Sequence, residues 1–170
     1  KALSIEPNNG QTITNLASIY TSQLKYDDAI ALFKNVIKVA PNSAEVHNNL
    51  GVCYSEVGQL DEALRCFEHT LVIDPNNVEA HYALATSGRK LLSPNDLSRL
   101  ERISRSTTIS LEKKIKLNFV LASQADQRGL TLPAITFFKA GNDLRKKLLN
   151  EQGHKFNTVE QVKLEKSIEN

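Results

Sequence analysis

Two histidines and two cysteines are the residues of this sequence best suited to chemistry. The histidines are His47 and His81, and the cysteines are Cys53 and Cys66. Imidazole and thiolate groups bind transition metals, and histidine also titrates near neutral pH. No carboxylate or further thiol is placed to complete a metal site, and the sequence contains no HExxH motif or Ser-His-Asp order. We therefore expect the histidines to pack and the cysteines to lie buried as small apolar side chains, with no catalytic residue, metal or cofactor.

The interval that separates His47 from His81 recurs through the first half of the chain, and it defines the elements that position these residues. Pro7, Pro41 and Pro75 follow one another at this interval, and each precedes an asparagine. Other types recur in the same register: Leu16, Leu50 and Leu84; Ala17, Gly51 and Ala85; Tyr20 and Tyr54; Ala29 and Ala63; Phe33 and Phe67. A fixed period of about 34 residues is the signature of a repeat protein built from small supersecondary units.

Each unit is predicted to contain two amphipathic helices joined by a turn. In the second unit, Ser43 is a suitable N-cap for a helix over about residues 44–56, and Gly58 can end that helix in the left-handed conformation. Asp61 is then expected to cap a second helix, and Pro75 closes the unit. The first helix carries a buried stripe of Val46, Leu50, Cys53 and Tyr54, and the second an inner face of Leu64, Phe67, Leu71 and Val72.

These motifs resemble the tetratricopeptide repeat, whose signature positions are occupied here by Leu50, Gly51, Tyr54, Gly58, Ala63, Phe67 and Pro75. The first unit matches too, although Leu24 stands where glycine is usual. The resemblance implies an all-α fold, an α-α superhelix (solenoid) of stacked helix-turn-helix repeats. We expect the end of a truncated preceding repeat at 1–9, repeats at 10–43 and 44–77, degenerate repeats at 78–109 and 110–150, and a capping or linker helix at 151–170.

The second half of the chain departs from the consensus. The third unit keeps its first helix, over about residues 78–90, and Ser93-Pro94 then starts a new one. A fourth helix pair begins near Ser110, and its motif positions follow those of the second unit by two periods and a three-residue insertion. Residues 118–122 and 137–145 resemble the last repeat of bacterial proteins that join tetratricopeptide repeats to a sulfotransferase domain. That resemblance implies that the chain is the substrate-recruiting region of a larger enzyme, because the sequence itself contains no phosphate-binding loop.

The resemblance also implies a concave groove, lined by first-helix side chains, that binds a protein or peptide. In this register the groove residues are Thr14, Asn15, Ser18, Asn48, Asn49, Val52, Glu79, Tyr82, Thr86, Lys116, Phe119 and Ser123. Asn15 and Asn49 form a two-rung ladder similar to that of O-linked N-acetylglucosamine transferase, and an amide can both donate to and accept from an extended peptide backbone. Ala83 breaks the ladder at the third rung.

Composition and charge narrow the classes of protein and of binding partner that the sequence fits. Apolar residues make up 41% of the chain and charged residues 24%, as in ordinary globular proteins, and no apolar run is long enough for a membrane helix. Arg99, Arg102 and Arg105 lie near one helix face, but a solvated face or an interdomain contact is favoured over nucleic acid because aromatic residues are few and no nucleic-acid motif occurs. Two cysteines without a disulfide framework favour the cytoplasm. The alternative function is a structural scaffold that self-associates by end-to-end stacking of repeats.

Overall fold

The computed structural model describes residues 7–88 and 91–152, the side chains of 7–9 excepted, and every regular element in these ranges is an α-helix. The helices fall into two compact units, divided between Leu92 and Ser93. The predicted tail of a preceding repeat (1–6) and the predicted helix after residue 157 lie outside the described residues. The helix bounds are α1 Pro7–Ser22, α2 Tyr26–Val39, α3 Ala44–Glu56, α4 Leu60–Ile73, α5 Val78–Thr86, α6 Pro94–Ser104, α7 Leu111–Asp126 and α8 Thr131–Glu151.

The first unit contains α1 to α5, in which first and second helices alternate. Helix α1 packs on α2, α2 on α3, α3 on α4 and α4 on α5. The apolar core runs continuously through these helices, and its largest members are Phe33, Phe67, Leu50, Tyr54 and Leu84. Because each helix contacts its sequence neighbours, stability in this unit comes from local interfaces that repeat along the chain.

The second unit contains α6 to α8. Helix α7 packs extensively on α8 and also contacts α6. Its core includes Leu100 of α6 together with Leu117, Val120 and Ala122 of α7, all of which are completely shielded from solvent. The boundary between the two units falls inside the predicted third repeat (78–109).

Serine and asparagine begin the helices where the sequence predicts. The side chains of Ser43, Asn77, Ser93 and Ser110 each accept a hydrogen bond from the backbone N–H three residues later. The predicted cap at Asp61 is wrong: the N-cap is Gln59, α4 begins at Leu60, and Asp61 lies in the first turn. There its carboxylate still interacts favourably with the helix dipole.

Two further predictions of local structure are wrong. The apolar pattern predicts Val72 on the inner face of α4, but its side chain is exposed, because the residues that α4 buries are Ala63, Phe67 and Thr70. The first helix of the third unit ends at Thr86 and not near residue 90, since Gly88 adopts a left-handed conformation with φ of +68°.

The turns between paired helices share one backbone geometry. Leu24, Gly58 and Gly129 all have positive φ, at 61°, 78° and 70°. The next residue in each turn donates its N–H to the carbonyl five residues before it, over 2.8–2.9 Å, in the Schellman arrangement that ends a helix. Gly129 follows Gly58 by the offset that the sequence predicts between the second and fourth helix pairs.

Leu24 is strained in this turn, because a side chain clashes with the backbone in the left-handed region. We expect Leu24→Gly to raise the free energy of unfolding by about 0.5–1 kcal/mol, after the greater chain entropy of glycine offsets part of the gain. The matched reverse change, Gly58→Leu, should lower the free energy of unfolding by about 1 kcal/mol. Urea denaturation of both variants measures this, and a loss of stability in Leu24→Gly would contradict the assignment of strain to this residue.

Candidate functional site

The predicted groove residues of the first unit lie on three first helices, α1, α3 and α5. Asn15 and Ser18 are exposed on α1, Asn49 is half-buried and Val52 exposed on α3, and Tyr82 is half-buried on α5. Glu79 is half-buried and Thr86 exposed, also on α5. These side chains are at least partly exposed on the helices that the repeat pattern selects.

Thr14 does not share this access. Its side chain is only 3% exposed, and its hydroxyl donates to the Gly10 carbonyl over 2.9 Å. Asn48 is half-buried on α3, and its Oδ1 is buried with no hydrogen-bond partner in the part of the chain that the structure describes. A buried carbonyl oxygen of this kind costs about 1–3 kcal/mol until it meets a donor.

The two rungs of the asparagine ladder have different surroundings. Asn15 accepts a hydrogen bond from Gln11 Nε2 over 3.1 Å at the surface of α1. The side chain of Asn49 has no hydrogen-bond partner within residues 7–88 and 91–152, so its amide is free to pair with a ligand. Ser18 and Thr86 instead donate to backbone carbonyls of their own helices.

The predicted groove residues of the second unit, Lys116, Phe119 and Ser123, are all half-buried on α7. Phe119 contacts two residues of α8: its ring lies 6.3 Å from that of Phe138, and the Arg145 guanidinium lies 5.1 Å from its centroid. The same ring faces Gly141, where an added Cβ would lie 3.2 Å from it. Phe119 therefore serves packing between α7 and α8, and Ser123 accepts a hydrogen bond from Gln127.

The repeated histidines have the packing role that the sequence predicts. Each lies on a first helix and donates from Nε2 to the proline carbonyl that ends the preceding unit: His47 to Pro41 over 2.8 Å, and His81 to Pro75 over 3.0 Å. The carbonyl can only accept, so Nε2 carries the proton. The ring of His47 also lies 4.2 Å from that of His69 on α4, a pairing that the sequence does not predict because the period carries no information on it.

Burial is the main reason that the pKa of His47 lies below its usual value of 6.5, and nearby His69 lowers it further, although the Pro41 hydrogen bond opposes both. Because His47 binds a proton more readily in the unfolded chain, the stability that neutral His47 contributes is fully present above about pH 6.5. This contribution is lost as the pH falls below that value. We expect the melting temperature of His47→Gln to fall by less than that of the wild type between about pH 7.5 and pH 5.5. Thermal unfolding followed by circular dichroism measures this, and identical losses would contradict it.

The two cysteines are free thiols in environments that oppose ionisation. Cys53 is completely buried, with its sulfur 3.3 Å from Thr21 Oγ1, and burial raises its pKa. Burial and the nearby Glu62 raise the pKa of Cys66 to about 11. Thiols of this kind are poor nucleophiles at neutral pH.

No group of three or more metal-ligating side chains occurs in the described ranges, and none of the helices described there could cross a membrane.

A model of the tetratricopeptide repeat family matches residues 20–86, from the end of α1 through α5. A tetratricopeptide repeat protein from Parabacteroides merdae superposes on 96% of the chain with a TM-score of 0.63 at 19% identity. The fold is a tetratricopeptide-repeat fold. The predicted fold class, all-α with stacked helix-turn-helix repeats of this type, is confirmed. The chain spans 66% of the Parabacteroides protein, just under two thirds of its length.

Other tetratricopeptide structures are more distant. The domain of Sgt2 from Aspergillus fumigatus matches 84% of the chain and 87% of its own length, with 20% identity and a TM-score of 0.47. MamA from strain AMB-1 matches 83% of the chain and 94% of its own length, with 17% identity and the same TM-score of 0.47. No curated protein matches the sequence.

Proposed function

We propose that the first unit is a protein-interaction module that binds an extended peptide or a protein segment along α1, α3 and α5. The observation that carries the proposal is Asn49, whose amide has no partner within the described ranges and lies one repeat after the exposed Asn15. A pair of amides at this spacing can hydrogen-bond the backbone of an extended chain without selecting its side chains. Tyr82 adds an aromatic surface one repeat further on.

The proposal is tested with a library of random peptides, from which binders are selected and measured by fluorescence polarisation. We expect Asn49→Ala and Tyr82→Ala each to weaken binding about three- to tenfold, the worth of one hydrogen bond or one modest contact. Asn35→Ala, which removes an exposed asparagine from the second helix α2, is the matched control and should leave the affinity unchanged. Equal affinities for all three variants and the wild type would place the binding site elsewhere.

We further propose that this module recruits a polypeptide substrate for a sulfotransferase in the same protein. The support is the resemblance of residues 118–122 and 137–145, which lie in α7 and α8, to the last repeat of such fusion proteins. The reading frame that encodes the chain tests this part directly. A strand and a phosphate-binding loop encoded soon after Asn170 would support it, whereas a stop codon or further repeats would refute it.

The cytoplasm is the compartment that fits this proposal. Cys53 and Cys66 are both free, and proteins of oxidising compartments usually pair their cysteines. Fractionation of cells that express the chain with its native flanking sequence would test the placement, and recovery from an exported fraction would refute it.

The second candidate function is a structural scaffold in which copies of the chain associate end to end. It is favoured by large apolar side chains that are exposed on both α1 and α8, at opposite ends of the helix order. Sedimentation at increasing concentration separates the two candidates, because a pure peptide-binding module stays monomeric and a scaffold grows in mass.

A further inference from the structure

The three first helices of the first unit carry carboxylates but neither lysine nor arginine. Helix α1 has no charged residue along its length. The charged residues of α3 are Glu45 and Glu56, and that of α5 is Glu79. A peptide that lies along these helices therefore meets negative charge on the helices that bind it, which repels an acidic peptide and attracts a basic one.

Two of these carboxylates occupy the same position in successive repeats. Glu45 precedes Glu79 by one period, and Glu79 is one of the predicted groove residues. We call Glu45 and Glu79 the acidic row. Glu79 is half-buried, whereas Glu45 is exposed and has no ion-pair partner in the part of the chain that the structure describes. The equivalent residue of α1 is the uncharged Gln11, so the acidic row is confined to α3 and α5.

Each member of the acidic row has an electron-rich neighbour three residues later, on the same face of its helix. On α3 this neighbour is Asn48, whose Oδ1 is buried with no hydrogen-bond partner within the described ranges. Because Asn48 as a whole is only half-buried, rotation of its side chain brings this oxygen within reach of a ligand N–H. On α5 the neighbour is the half-buried Tyr82, whose ring attracts a cation over its face.

We infer that the ligand of this module is a peptide that carries lysine or arginine. One basic side chain binds between Glu45 and Asn48 on α3, and a second binds at the equivalent place on α5. Ammonium and guanidinium groups donate several hydrogen bonds and accept none, which matches a carboxylate beside an unpaired amide oxygen. The asparagine ladder binds the peptide backbone, so the acidic row supplies the side-chain selection that the ladder lacks. The inference rests on the proposed peptide-binding function and names the class of its ligand.

The peptides selected from the random library against the full chain test this ligand class. Sequences of the binders should be enriched in lysine and arginine relative to the starting library, and their affinity should fall as salt screens the ion pairs. We expect Glu45→Gln to weaken binding of these peptides about two- to fivefold, the worth of one exposed ion pair. Asp28→Asn is the matched control, because it removes the same charge from an exposed site in the first turn of α2 and should leave the affinity unchanged.

Asn48→Leu gives a second readout that a purely structural residue would not give. Leucine is close to asparagine in shape and removes the buried unpaired oxygen, so the melting temperature should not fall. The affinity for the selected peptides should nevertheless fall about threefold or more, because a hydrogen bond from the ligand is lost. Thermal unfolding and fluorescence polarisation of the same variant measure the two effects.

Failure of this inference is distinguishable from failure of the peptide-binding function. Binders that are sensitive to Asn49→Ala but contain no excess of lysine or arginine would overturn the inference and leave the function standing. Equal losses for Glu45→Gln and Asp28→Asn would also overturn it, because the net charge of the first unit would then attract the peptide. An unchanged affinity of Asn48→Leu would overturn it as well. A library that yields no binder, or binders insensitive to Asn49→Ala, would refute the peptide-binding function and the inference together.

Discussion

Replacing Phe67 by alanine is expected to lower the free energy of unfolding of the first unit by about 3–5 kcal/mol. Phe67 is almost completely buried on α4, and its ring lies directly against Gly51 of α3. Truncation removes the apolar contact and leaves a cavity between two helices whose spacing is set by the glycine, so the site cannot collapse easily. Guanidinium denaturation followed by circular dichroism measures the change.

Phe138→Ala is the control for this prediction, because the sequence places Phe138 and Phe67 at the same motif position in the fourth and second helix pairs. Phe138 is 41% exposed, so its truncation should cost no more than about 1 kcal/mol. Both variants are measured at a concentration at which the chain sediments as a monomer, so that association does not contribute. Equal losses for the two variants would contradict the difference in burial.

The contrast between these two phenylalanines shows what the sequence predicts well and what it does not. Helix starts at Ser43, Asn77 and Ser93 and the stop at Gly58 are correct, because a cap or a left-handed glycine acts through backbone groups a few residues away. The repeated packing of the first unit is also predictable, since a fixed period carries each contact from one repeat to the next.

Burial depends on which helices lie beside a residue and is not a local property, and the wrong prediction for Val72 is of this kind, unlike those for the Asp61 cap and the end of α5. Val72 matches the apolar pattern of α4 but is exposed, because the buried residues of α4 are Ala63, Phe67 and Thr70. Leu16 and Phe138 match the motif in type and position, yet each lies on a helix at one end of the helix order, where the neighbour that the motif assumes is not among the described elements. The pattern specifies the residue type and cannot specify whether the covering helix is present.

The period predicts the placement of some residues of the proposed binding face but not the burial of others. The period identifies α1, α3 and α5 and selects Asn15 and Asn49 on them, and the structure leaves both amides accessible. The period equally selects Thr14 and Phe119, but Thr14 is buried against α1 backbone and Phe119 packs on α8. Those two outcomes depend on side-chain contacts that a spacing argument does not contain.

Gly51→Ala is expected to lower the free energy of unfolding by up to about 2 kcal/mol. An added Cβ would lie 2.8 Å from Phe67 Cε1 and 3.0 Å from two further ring carbons, so the ring or the helix must shift. Overpacking of this kind costs about 1–3 kcal/mol, and the better helix propensity of alanine returns about 1 kcal/mol of it. The same denaturation experiment measures the net effect.

Gly10→Ala isolates the contribution of helix propensity, because Gly10 also lies within a helix but an added Cβ there meets no atom within 4 Å. That change should raise the stability by up to about 1 kcal/mol, opposite in sign to Gly51→Ala. The double variant Gly51→Ala/Phe67→Leu then tests the contact itself, since the smaller leucine leaves room for the new methyl group. If the cost of Gly51→Ala falls by about 1 kcal/mol or more in that background, the two residues are coupled through direct contact. An unchanged cost would mean that Gly51 is required for a reason other than the close approach of α3 and α4.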